Sequence, residues 1–127
     1  MKKQFGWFKR ILSSGGAPDE INAEVLSRMA ADGDDLQSPR DVEFNHQFSH
    51  EKSALDFLKA AKEEGYLWTD HQFSEEQLSW LTTIQVQMVP SLEEITEIEA
   101  DLAEIAKTFG GRPDGWGCME IIPTRSV

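Results

Sequence analysis

The chain has 127 residues, with 12 Lys+Arg against 23 Asp+Glu and a formal net charge of −11. Its length suits one domain, and its 39% hydrophobic and 28% charged residues are those of a folded globular chain rather than a disordered one. The acid excess excludes a general nucleic-acid binder, whose affinity comes from Lys and Arg neutralising phosphates, and points to a basic partner or to no charged partner.

Cys118 is the single cysteine, so no internal disulfide framework exists, and a reducing cytoplasmic setting is expected. No run approaches the ~18 consecutive apolar residues of a membrane span, and the N-terminal apolar cluster is too short and too interrupted for a secretory signal.

The charge is unevenly placed. Residues 1–12 hold Lys2, Lys3, Lys9 and Arg10 and no acid, so they carry +4 and leave −15 for residues 13–127. Phe5, Phe8, Ile11 and Leu12 fall at helical spacing in this arm. Such a basic amphipathic segment can lie on an anionic membrane surface or dock on a partner, on its own domain or on a second copy. Ser13 to Pro18 reads as a flexible linker. The expected division is an arm and linker at residues 1–18 and one domain at 19–127.

From Asp19 a helix is expected, with Ile21, Val25 and Met29 recurring every four residues. Asp32-Gly33-Asp34-Asp35 ends it as a solvated turn; the alternating ligands and closing Glu of a calcium loop are absent. Val42, Phe44, His46 and Phe48 alternate with polar residues as a half-buried strand. A helix capped by Ser49 then runs through Leu55, Leu58 and Ala61 to Gly65.

Tyr66 to Thr69 restarts as a strand, Ser74 to Gln77 turns the chain, and Leu78 to Val89 forms the longest strand before Pro90 stops it. Ser91-Leu92-Glu93-Glu94 has the form of a capping box. Leu92, Ile95, Ile98, Leu102, Ile105 and Phe109 then mark the clearest helix, and a final strand spans about 117–122.

After the leading helix the order is β-α-β-β-α-β. It predicts an α+β, ferredoxin-like sandwich: a four-stranded antiparallel sheet with two helices on one face, plus the N-terminal helix.

The long helix carries an acidic stripe. Glu93, Glu97, Asp101 and Glu104 lie at i, i+4, i+8 and i+11, and no lysine or arginine occurs from residue 63 to 106. Like charges so spaced disfavour an isolated helix by a few tenths of a kcal/mol per pair. The stripe is either a solvated face or a docking surface for an Arg/Lys-rich protein segment, which would make binding salt-sensitive.

Asp114-Gly115-Trp116-Gly117 is the most distinctive short segment. It reads as a turn feeding the last strand, with Trp116 either capping the sheet or standing exposed as a partner anchor. Trp68, Trp80 and Trp116 in or beside strands could stack RNA bases on the open sheet face, although the accompanying basic residues are missing. Otherwise the leading helix or a second copy would cover that face. His46, His50, His71 and Cys118 assemble neither a closed metal shell nor an activated Cys–His pair from their spacing. No cofactor is implied and no reaction suggests itself.

Four places in one order resemble the bacterial regulator of ribonuclease activity B family. They are Asp32-Gly33-Asp34-Asp35, Ala60-Ala61-Lys62-Glu63-Glu64-Gly65-Tyr66, Ala106-Lys107-Thr108-Phe109 and Asp114-Gly115-Trp116-Gly117. The resemblance implies a ferredoxin-like fold and a non-enzymatic cytoplasmic protein that binds and inhibits the endoribonuclease RNase E. Two features depart from the family: the basic aromatic arm, and an end at Val127 without a long acidic tail. The competing functions are a dimeric small-ligand sensor paired sheet to sheet, and a membrane-surface adaptor using residues 1–12.

Overall fold

The computed structural model describes residues 7–10 and 18–123. They form β1 (Trp7–Arg10), α1 (Pro18–Ala31), β2 (Arg40–Phe48), α2 (Glu51–Glu63), β3 (Leu67–Ser74), β4 (Ser79–Met88), α3 (Leu92–Thr108) and β5 (Arg112–Met119). The strands make one antiparallel sheet in the order β1-β5-β2-β4-β3. This is an α+β fold whose four-stranded antiparallel sheet, β2 to β5, is accompanied by three helices. The expectation of two main helices and a leading one is met by α2, α3 and α1.

The sheet is one strand wider than expected. Trp7–Arg10 pairs with β5, Trp7 opposite Met119 and Arg10 opposite Trp116. The helical spacing of Phe5, Phe8, Ile11 and Leu12 therefore misleads over residues 7–10. An open sheet edge offers a short segment hydrogen bonds that an isolated helix of this length cannot hold in water. The rest of the arm and the Ser/Gly linker, residues 1–6 and 11–17, lie outside the described residues. No helix among the described residues is long and apolar enough to cross a membrane.

All three helices pack on one side of the sheet. Val42, Phe44, Phe48, Ile84, Trp116 and Cys118 from the strands meet Met29, Phe57, Leu58, Ile95 and Leu102 from the helices, each at most 2% exposed. The alternation in β2 is complete, because Arg40, Val42, Phe44, His46 and Phe48 are buried while the residues between them are not. In α1 the inner face is Asn22, Val25, Leu26 and Met29, one step from the stripe that apolar residues alone suggest, because its first member is an asparagine.

Each helix ends on a glycine with positive φ: Gly33 at +97°, Gly65 at +98° and Gly110 at +76°. The pattern is the same three times. After α2, Gly65 N–H donates to Lys62 and Tyr66 N–H to Ala61; after α3, Gly110 donates to Lys107 and Gly111 to Ala106. These paired bonds satisfy the last carbonyls, and the left-handed backbone they require explains the glycine. At the α3 start, Ser91 Oγ accepts from Glu94 N–H at 3.2 Å, whereas Ser91 N–H donates to Val89, so the capping box is half made. The N-cap of α2 is His50 rather than Ser49, without a side-chain cap bond.

Candidate partner-binding surface

The sequence singles out Asp114-Gly115-Trp116-Gly117 as a turn, and the structure corrects this to a β-bulge within β5. Phe44 faces Trp116 and His46 faces Pro113, so Asn45 alone opposes both Asp114 and Gly115. Gly115 takes φ +92°, the conformation such a bulge demands of its glycine. The extra residue restores the alternation and turns Trp116 inward.

Trp116 is 0% exposed, and its indole N–H donates to Asn22 Oδ1 at 2.9 Å. It is no exposed anchor. A ring of this size buries roughly 200 Å² and contributes on the order of 5 kcal/mol. Asn22 in turn donates to Thr96 Oγ1 at 3.2 Å and to Glu99 Oε1 at 2.7 Å, joining α1, α3 and β5.

A second buried node lies at the other glycine-acid segment. Arg40, on the first residue of β2, meets Asp34 at 2.8 Å, with side chains 4% and 0% exposed. Its remaining donors reach the carbonyls of Ser38, Asp35 and Met119. Asp32-Gly33-Asp34-Asp35 is thus a helix terminus followed by the buried carboxylate that holds Arg40. Asn22 and Arg40 are the residues that sequence reasoning passes over. The available signal was an asparagine at inner-face spacing, and an arginine in phase with Val42 and Phe44.

The open sheet face is polar. Register places Glu43, Asn45 and Gln47 of β2 there, opposite Gln85, Thr83 and Leu81 of β4. Gln47 donates to Asp114 Oδ1 at 2.8 Å and accepts from Arg112 at 3.2 Å. Trp68, Trp80 and Trp116 pair with Ile84, Phe48 and Phe44, on the helix side. No tryptophan among the described side chains is available to stack RNA bases on the open face. The leading helix does not cover that face, since α1 lies beside α3.

Cys118 is fully buried, and burial pushes its thiol up to about 11, the opposite of an activated nucleophile. His46 is buried against Phe57, and desolvation lowers it to about 4. Among the described residues no three His, Cys, Asp or Glu side chains are grouped to hold a metal ion.

The acidic stripe stands where the sequence puts it. Glu93, Glu97, Asp101 and Glu104 are all exposed along α3. No salt bridge reaches any of the four among the described residues. Tyr66 donates to Asp101 Oδ2 at 2.5 Å, and burial, followed by that bond and the nearby carboxylates, raises the phenol above its ordinary value. Among the described residues the stripe is neutralised neither by lysines nor by a neighbouring helix.

Residues 19–118 match the family model described as Regulator of ribonuclease activity B. The chain belongs to the regulator of ribonuclease activity B family. No curated protein matches the chain. The match begins in α1 and ends at Cys118, so the family domain contains the Asn22–Trp116 contact and the Asp34–Arg40 pair and leaves out β1. Three of the four resembling segments prove to be helix terminations, and the fourth is the bulge. The family consists of regulators of ribonuclease activity, which implies a protein partner.

Proposed function

We propose that this chain is a non-enzymatic regulator that binds a ribonuclease through its acidic α3 face, and that the enzyme is RNase E, as the family resemblance implies. The observation supporting this reading is the row Glu93, Glu97, Asp101 and Glu104, exposed on one helix and without a salt bridge among the described residues. Keeping four carboxylates at helical spacing works against the helix, so a basic counterpart supplied by another chain gives the row a purpose. A flexible Lys/Arg-rich segment of the enzyme suits a stripe that presents charge without a pocket.

In this reading the protein acts in the bacterial cytoplasm, touches no RNA directly and alters decay by occupying the enzyme. The same reading takes β2-α2-β3-β4-α3-β5 as a ferredoxin-like core, to which α1 and β1 are additions.

The test is binding of purified RNase E at low and high salt, for the wild type and for Glu93→Lys/Glu97→Lys/Glu104→Lys. Binding that weakens with salt and fails in the triple variant supports the proposal. No binding by the wild type at low salt refutes it, and equal binding by the variant removes the stripe from it.

A further inference from the structure

We infer that β3, with the aromatic row beside it, is a docking edge for an extended peptide of a partner protein in which Lys or Arg alternates with apolar residues, added as a sixth strand. The inference rests on the proposed function only in taking the partner to be a protein.

β3 is the outermost strand beyond β4, so one side of its eight-residue backbone has no strand partner among the described residues. Sheets commonly blunt such edges with short strands, lysines or prolines. Leu67–Ser74 contains neither residue; its one blunting device is the bulge at the register shift between Trp68 and Asp70, which leaves His71–Ser74 in regular register. Beside this open backbone lies apolar surface. Leu67, Trp68 and Phe73 are 65%, 38% and 46% exposed, and Leu55 on α2 is 42% exposed. Trp68, His71, Trp80 and Phe73 form a continuous row of ring contacts with centroids 5.9, 6.2 and 5.5 Å apart. Trp68 and Phe73, exposed and held in place by the half-buried His71 and Trp80, supply rigid anchors for a partner.

Charge selects the occupant. Asp70 on β3 and Glu75 and Glu76 in the following hairpin are exposed, Glu51 lies 3.6 Å from His71, and residues 63–106 contain no Lys or Arg. A second copy is a poor occupant, because antiparallel pairing of β3 with itself brings two such acidic sets together. The opposite edge gives an internal precedent: Trp7-Phe8-Lys9-Arg10, aromatic and basic, pairs there with β5. That strand lies four strand spacings from β3, roughly 19 Å, and its place is taken. Main-chain bonding would give affinity, while the aromatic row and the acids would select the side chains.

The test uses the full chain and an acetylated, amidated peptide of four alternating Lys-Val pairs. Expected are slowed amide exchange confined to residues 67–74 and a change in tryptophan fluorescence. Affinity should fall about tenfold or more in Trp68→Ser/Phe73→Ser and in Asp70→Lys, substitutions at exposed positions whose folding is checked by circular dichroism. Binding should vanish for the same peptide N-methylated at alternate residues. Equal binding of the N-methylated peptide, unchanged affinity in both variants, or absence of protection at 67–74 overturns the inference. So does protection of that strand by self-association without peptide, measured by sedimentation. Variants that lose the peptide but bind the ribonuclease as the wild type does support an edge separate from the α3 face; a wild type that binds the ribonuclease but not the peptide refutes the edge and leaves the regulator reading, and one that binds the peptide but not the ribonuclease does the reverse.

Discussion

Acidification should destabilise this protein through His46, and the size of the effect follows from its surroundings. The ring is 2% exposed, lies with its centroid 5.0 Å from that of Phe57, and has Nδ1 buried without a hydrogen-bond partner among the described residues. Burial holds its folded value near 4 against an ordinary 6.5. Between those values the unfolded chain binds a proton that the folded chain refuses, so stability rises with pH across this window and is lost as pH falls from 6.5 toward 4. The full difference is on the order of 3 kcal/mol, and about 2 kcal/mol of it is gone by pH 5. Against a typical total of about 5–15 kcal/mol this is a large share.

Urea unfolding at pH 7.5 and pH 5, for the wild type and His46→Leu, isolates the contribution because every other group is common to the two proteins. The wild-type midpoint should move down by about 1 M more than that of the variant. Equal shifts in the two proteins would refute the assignment.

Four further outcomes follow from the packing and the backbone. Asp34→Leu or Arg40→Met alone should cost about 3–5 kcal/mol by leaving a buried charge unpaired, while the double variant should lose much less than their sum; additive losses in thermal melts would contradict this. Gly111→Ala should cost about 1–3 kcal/mol, because a Cβ there would stand 2.1 Å from the Phe48 ring. Gly65→Ala, with open space but φ +98°, should cost about 1–2 kcal/mol of backbone strain; a similar chemical-denaturation loss at both sites is compatible, but a neutral Gly111→Ala is not. Cys118 should react with an aromatic disulfide reagent only as fast as the fold opens, and stoichiometric labelling within seconds in native buffer would show the burial to be wrong.

The legible parts were those governed by local chemistry. The strict alternation from Val42 to Phe48 and the helical spacing from Ile95 to Phe109 identified strand and helix because one face of each is buried. The stripe could be read because its members needed only a helix to align them. The parts that were not legible depended on partners distant in sequence. Nothing local in Trp7-Phe8-Lys9-Arg10 announces a strand, whose bonds all go to β5. Pro113-Asp114-Gly115 has the chemistry of a turn, and only the pairing of β5 with β2 makes it a bulge. For Trp116 the sequence favours a cap on the sheet over an exposed anchor, and the partner that decides it, Asn22, lies 94 positions away. The row along β3 and β4 is not legible because nothing local tells which face Trp68 and Trp80 take, and only the register of β4 with its neighbours puts them on the helix side.

The position of β5 governs the order in which the molecule can be completed. It is the last strand in chain order, yet it lies inside the sheet, between β1 and β2. Until residues 112–119 are in place, the half-buried β2 has a naked edge, the space for Trp116 is empty and Asn22 has lost its indole donor. Contacts of such long sequence separation slow folding, and unpaired strands invite association. A fragment ending before residue 112 should therefore be sticky rather than merely less stable, and a degradation product lacking this strand would be a substrate for chaperones or proteases instead of a weaker regulator.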